Sequence, residues 1–162
     1  MPIYYLDTSA LLKRYVNEAG SAWMQATFED LDADFVVSQL TLVEAMAALA
    51  RRAKGGAFRP GDAARVMQQL EVDFRHRFLV IEVNSQLIDK AVDLAKQRAL
   101  RGYDALQLAT ALTIRSLVAP TEITFVAADA ELNTAAALEG LPSINPATAW
   151  FNSPGLLPTE SP

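Results

Sequence analysis

The stretch Ile3-Tyr4-Tyr5-Leu6-Asp7-Thr8-Ser9-Ala10-Leu11 decides the architecture. Its first four residues read as a short buried strand, and apolar residues at helical spacing follow over 8–16. A strand therefore passes directly into a helix at Asp7. The same grammar recurs along the chain. Phe35-Val36-Val37 leads through Ser38 into a helical stretch over 42–54 that carries Glu44 in its first turn, and a strand over 123–127 meets a helix over 129–139 at Asp129. Between these, a second helix is expected over 21–31, and Gly55-Gly56 breaks the chain before a helix that runs from about Pro60 to Arg75. A strand over 78–83, an amphipathic helix over 85–100 and a joint at Arg101-Gly102-Tyr103 come next, after which Asp104 opens a helix over 105–117. Pro120 stops that helix, and 142–144 form a last short strand.

Strands alternating with helices predict a parallel sheet covered on both faces through right-handed crossovers. In such sheets ligands gather outside the carboxyl ends of the strands. Asp7 and Asp129 fall at those ends, while Glu44 and Asp104 fall in first turns of helices. No internal repeat is visible. Pro154, Pro158 and Pro162, with Ser153 and Gly155, predict a flexible tail over 151–162 after one domain over 1–150.

Composition narrows the chemistry. A chain of 162 residues, about half of them apolar, affords one sizeable core and no second domain. The absence of cysteine excludes disulfides, thiolate metal sites and a cysteine nucleophile, so any metal chemistry must use oxygen ligands. The single histidine, His76, lies in the charged run Arg75-His76-Arg77 and reads as a solvated helix-end residue, which leaves no base for a Ser–His mechanism. The start of the chain has no leader pattern and no window is apolar enough for a membrane span, so a cytoplasmic protein is expected.

The net charge of −5 opposes binding of a polyanion, but the charge is segregated. Arg51, Arg52, Lys54, Arg59, Arg65, Arg75 and Arg77 fall within 51–77 against the acids Asp62, Glu71 and Asp73, and no basic residue follows Arg115. That segment is open to two readings, a local basic surface for RNA or a partner, and ordinary solvated helix faces. Trp23, Phe28, Met46 and Met67 lie on apolar helix faces and read as core or dimer contacts.

Each of the four acids has a structural reading. Asp7 and Asp129 suit helix N-caps, Thr41-x-x-Glu44 fits a capping box, and any carboxylate near a helix start is favoured by the macrodipole. Together they say more. Two acids at one sheet edge with two more on helices beside it repel one another unless a hard cation neutralises them, and Mg²⁺ or Mn²⁺ suits oxygen ligands. Such a cation coordinates phosphate and orients water, as phosphodiester hydrolysis requires.

Four segments carry a family resemblance across nearly the whole chain: Tyr5 to Leu11, Ser38-Gln39-Leu40-Thr41-Leu42-Val43-Glu44, Leu100 through Tyr103-Asp104-Ala105-Leu106-Gln107-Leu108-Ala109, and Phe125-Val126-Ala127-Ala128-Asp129-Ala130-Glu131-Leu132. In this order and spacing the chain resembles PIN-domain proteins of the VapC-like toxin group. The resemblance implies a three-layer α/β/α sandwich with a central parallel sheet, and a Mg²⁺- or Mn²⁺-dependent ribonuclease leaving 5′-phosphate and 3′-hydroxyl ends. It implies Asp7, Glu44, Asp104 and Asp129 as the catalytic and metal-holding acids, with the Thr8 and Ser9 hydroxyls positioning Asp7 or a water on the metal. It further implies an RNA substrate, a homodimer and a small antitoxin partner. The chain departs from the family pattern at Ala127, where relatives often carry Ser or Thr, so a hydrogen bond near Asp129 is expected to be missing; Gln107 replaces a frequent His.

Rival readings have less support. A receiver domain needs adjacent acids after the first strand and a late lysine, and none follows Lys96; a haloacid-dehalogenase-type phosphatase needs Asp-x-Asp, and Ser9 stands in the third place. Neither a Gly-Lys-Ser/Thr loop nor Gly-x-Gly-x-x-Gly occurs. The remaining alternative is a PIN-like module that binds RNA or protein without catalysis. Arg101 is open to two readings, a phosphate contact and an ordinary arginine that pairs with a carboxylate or lies solvated.

Overall fold

The computed structural model describes residues 1–149, so the tail expected over 151–162 lies outside the described residues. In chain order the elements are β1 (Ile3–Leu6), α1 (Thr8–Leu11), a 3-10 turn (Leu12–Arg14), α2 (Ser21–Phe28), β2 (Asp34–Ser38), α3 (Gln39–Lys54) and α4 (Asp62–His76). They continue as β3 (Phe78–Ile81), α5 (Ser85–Arg98), α6 (Gly102–Val118), β4 (Ile123–Val126), α7 (Ala130–Leu138) and β5 (Ser143–Ile144). The strands form one parallel sheet in the order β3-β2-β1-β4-β5. The direction of sheet growth reverses between β1 and β4, which makes their carboxyl ends the switch point where a crevice opens.

Period-two alternation along the strands sorts side chains into two cores. Tyr5, Val36 and Phe125 face α5, α6 and α7, packing with Leu94, Leu108 and Leu132. Leu6, Phe35, Val37 and Val126 face the opposite way into Leu11, Met24, Leu49 and Leu70 of the helices α1 to α4. The expected three-layer sandwich follows directly. Tyr5 and Phe125, paired in register across β1 and β4, stack with ring centroids 5.6 Å apart. Phe28 is buried in the second core, with Trp23, Met46 and Met67 packed against it, as their apolar helix faces predicted. No described helix is long and apolar enough to cross a membrane.

Local hydrogen bonding moves several expected boundaries. The helix expected over 8–16 tightens after Leu11 into a 3-10 turn, closed by the Tyr15 N–H on the Leu12 carbonyl at 3.0 Å. Helix α2 stops at Phe28 rather than Leu31, whose side chain stays exposed and gains nothing from continuation. Helix α3 begins three residues earlier than expected because the Ser38 hydroxyl caps it by accepting from the Leu40 N–H. Glu44 therefore sits in the second turn, and no capping box forms with Thr41, which is buried. Helix α4 starts after the left-handed Gly61 rather than at Pro60. Strand β3 ends at Ile81, and the Val83 N–H bonds the Gln39 side-chain oxygen at 3.1 Å instead of a strand. Helix α6 opens at Gly102, so Asp104 lies inside its first turn.

Gly20 closes the layer of α2 against the end of the sheet. Its φ is +92°, and a Cβ there would meet the backbone of Pro146 and Ala147 at 2.8 Å. Gly20→Ala combines left-handed strain with a backbone clash and should destabilise the fold by at least about 1–2 kcal/mol. Urea unfolding of the variant checks this; an unchanged midpoint would exclude the close approach.

Candidate functional site

Asp7 follows the last residue of β1, and its backbone N–H extends the β1–β4 ladder to the Val126 carbonyl at 2.9 Å. The junction fixes the side chain at the sheet edge as the N-cap of α1. One carboxylate oxygen, Oδ2, accepts from the Ser9 backbone N–H at 2.9 Å and from the Ser9 hydroxyl. The Ser9 hydroxyl oxygen in turn accepts from the Ala128 N–H at 2.9 Å, tying the carboxylate to the loop after β4. Only 5% of Asp7 is exposed. Burial pushes its carboxyl up to about 6; the Ser9 hydrogen bonds work against that rise, and the charges of Glu44 and Asp104 add to it.

Glu44 is held through a second route. The Thr8 hydroxyl donates to Glu44 Oε2 at 2.6 Å, and the Gln107 amide donates to the same oxygen at 3.1 Å. Gln107 is 2% exposed and stands within α6. Its carbonyl oxygen accepts from the Tyr5 hydroxyl at 2.6 Å, and its amide nitrogen also reaches Thr41 Oγ1 at 3.1 Å. One amide thus links β1, α3 and α6 beneath the Glu44 carboxylate. Thr8 contacts Glu44 rather than Asp7, so the expected hydroxyl pair divides between two acids.

Asp104, half-buried in the first turn of α6, has its carboxyl raised by burial and by the charge of Asp129; Arg101 opposes this, while Glu44 and Glu131 reinforce it. Asp129 caps α7 by accepting from the Leu132 N–H at 2.9 Å through Oδ1. All four acids line one cleft of about 430 Å³, shared with Thr8, Ser9, Arg51, Arg101 and Tyr103. Each acid keeps at least one oxygen without a hydrogen bond from a described residue: Asp7 Oδ1, Glu44 Oε1, Asp129 Oδ2 and both of Asp104. None is paired with a cation, because the ion pairs among described residues join Lys13 and Arg52 to Glu18, Arg65 to Asp62 and Arg98 to Glu139. This donor chemistry fits a hard divalent cation. As arranged, no three acids among the described residues stand close enough to hold one ion together.

Ala127, where a hydroxyl was expected to be missing, is wholly buried in the core. Three other groups hold the loop beside it. Ser9 takes the Ala128 N–H, the Asn133 side chain donates to the Ala127 carbonyl at 2.7 Å, and Asn145 donates to the Ala128 carbonyl at 3.3 Å. Gln107, Asn133 and Asn145 are supporting residues that no local motif marks, since each acts on a group distant in sequence or on a loop carbonyl. Of the basic segment over 51–77, Arg51 lines the cleft, whereas Arg52 and Arg65 are engaged in ion pairs and Arg77 donates to the Phe28 carbonyl at 3.0 Å. His76 ends α4 exposed to solvent.

Two outcomes follow from these burials. A carboxyl whose folded pKa is raised from 3.8 to about 6 favours folding fully below pH 3.8 and loses that contribution as pH rises through 6. Asp7→Asn keeps an acceptor for Ser9 but removes the charge, so without metal it should raise stability near pH 7.5 by up to about 3 kcal/mol. The gain should vanish below about pH 4; thermal unfolding at both pH values measures it, and a less stable variant at pH 7.5 would contradict the desolvation account. Gln107→Leu strands the buried Tyr5 hydroxyl and should cost about 2 kcal/mol or more, read by chemical denaturation.

Comparison with known proteins agrees with this geometry. The PIN domain family model matches residues 4–137. Ribonuclease VapC45 of Mycobacterium tuberculosis is 34% identical over 114 residues, which cover 70% of this chain and 78% of that protein. The crystal structure of PAE2754 from Pyrobaculum aerophilum superposes with a TM-score of 0.65 at 23% identity, covering 93% of this chain and 96% of that one. A toxin-antitoxin complex from Klebsiella pneumoniae superposes with a TM-score of 0.60 at 18% identity, covering 88% and 97%. At those identities the two structures speak for the shared fold alone, whereas the family match and the VapC45 likeness span most of the sequence: the chain belongs to the PIN domain family.

Proposed function

We propose that this protein is a divalent-metal-dependent endoribonuclease, the toxin of a toxin–antitoxin pair. The observation that carries the reading is the cleft in which Asp7, Glu44, Asp104 and Asp129 each present an oxygen that no described protein donor takes. The likeness to Ribonuclease VapC45 supports the substrate class. Mg²⁺ or Mn²⁺, when bound by these acids, supplies Lewis-acid polarisation of the phosphate and acidifies water.

The chain's own residues prepare the site. Ser9 fixes Asp7 through Oδ2, so that Oδ1 is directed to the ligand. Thr8 and Gln107 fix Glu44 through Oε2 in the same one-sided manner, leaving Oε1. Asp129, capping α7 through Oδ1, and Asp104, with both oxygens free of described donors, would complete the set of acids that holds the cation. Buried Asp7 is costly to ionise alone, so a cation relieves a penalty already present in the fold. The resemblance to VapC-like proteins implies a 5′-phosphate and a 3′-hydroxyl as the product ends.

An acidic cleft suits a small antitoxin that covers it with basic groups, and the toxin–antitoxin complex among the structural neighbours supports such a partner. A homodimer is proposed as well; the exposed Ile88 and Val92 of α5 border a shallow apolar groove with Ala95 and Leu106 that favours contact with another copy.

Incubation of the purified protein with tRNA, rRNA and messenger fragments, with Mg²⁺, Mn²⁺ or chelator, tests the reading. Cleavage should require the metal, and Asp7→Asn or Asp104→Asn should lower it by at least about 10²-fold while the circular dichroism spectrum is kept. Equal cleavage by wild type and both variants, or cleavage that survives chelation, would refute it.

A further inference from the structure

The walls of the cleft carry three further groups besides the four acids and their anchors. Arg51 and Arg101 line it and join no ion pair among the described residues. Tyr103 lines it with 51% of its surface exposed, on the residue between Gly102 and Asp104. The two cations come from opposite walls. Arg51 lies seven residues beyond Glu44 on α3, two turns along the same face and about 10 Å away along the axis. Ala47 and Ala48 line the interval with small side chains, leaving a low floor between carboxylate and guanidinium. Arg101 is the N-cap residue of α6, preceding Asp104 by three.

We infer that Arg51, Arg101 and Tyr103 form the substrate-binding rim of the nuclease: the arginines hold phosphates on either side of the scissile bond, and Tyr103 stacks an unpaired base. The inference rests on the ribonuclease reading and adds to it the residues that grip and orient the strand. Charge supports the assignment. Four acids against two arginines leave the cleft repulsive to a polyanion, and a divalent cation brings the total to neutrality, so the flanking guanidinium groups supply the positive charge that holds neighbouring phosphates. Chemistry supports it too. An exposed tyrosine ring beside an arginine is a stacking platform for a nucleobase, and a base held inside a duplex cannot reach such a platform. Val43, 60% exposed on the α3 side of the cleft, adds an apolar shoulder.

The test measures fluorescence anisotropy of a labelled short single-stranded RNA, and of its annealed duplex, in Mg²⁺, with every variant placed on an Asp104→Asn background to prevent cleavage. Arg51→Ala and Arg101→Ala should each weaken binding of the single strand roughly tenfold and flatten its salt dependence by about one charge. Tyr103→Ala should weaken it roughly tenfold, whereas Tyr103→Phe should retain affinity; the duplex should bind more weakly and ignore Tyr103. In the Asp104 protein the same substitutions should raise KM more than they lower kcat. Unchanged affinity in all three alanine variants, or equal loss in Tyr103→Phe and Tyr103→Ala, overturns the rim. If metal-dependent cleavage persists while affinity is unmoved, the rim alone fails; if no RNA is cut at all, the ribonuclease reading beneath it fails.

Discussion

The desolvated carboxylate of Asp7 is the constraint around which the rest is arranged. It terminates the strand at the switch point of the sheet, where its backbone bonds to β4 and its side chain is almost closed off from water. Ionised, such a group opposes folding, and the structure only partly offsets the cost with the Ser9 hydrogen bonds. The same serine then reaches the loop leading to Asp129. A single hydroxyl therefore sets the relative height of two acids that lie far apart in sequence.

Glu44 presents the complementary solution. It comes from a helix, has a longer side chain and is less buried, so it needs more anchoring than Asp7 does. The anchor is a polar seam inside an apolar core: Tyr5, Thr8, Thr41 and Gln107 join four elements around Oε2. Buried polar groups of this kind are expensive when a partner is lost, which makes them good positional devices when complete. Both anchored acids spend one oxygen on the protein and keep the other.

The architecture was largely legible in the residues because strand and helix abut without turn residues, a pattern that only a crossover-linked parallel sheet explains. All four acids were legible as well, although as helix-start residues each had an ordinary reading. Boundaries were less readable where two capping residues compete. Ser38 and Thr41 both suit an N-cap, and the choice of Ser38 turned on Thr41 being needed in the core beside Gln107. The supporting groups were the least readable. Gln107 looks like one more polar residue of an amphipathic helix, and its role arises only when α6 is laid across Tyr5 and Glu44. Asn133 and Asn145 support a loop through carbonyls, which have no signature in side-chain pattern. At Ala127 no side-chain hydroxyl is available to Asp129, and the loop is held instead through its backbone by groups from three other segments.

The adjacency of β1 and β4 has a consequence for synthesis. Leu6 pairs with Val126, so β1 waits for a strand that is made after β2 and β3. Until then Asp7 lacks the Val126 carbonyl and Ser9 lacks the Ala128 N–H. Long-range pairing of this kind delays folding. In a protein proposed to cut RNA, that order means that the four acids share one cleft only after β4 and the loop behind it have been made.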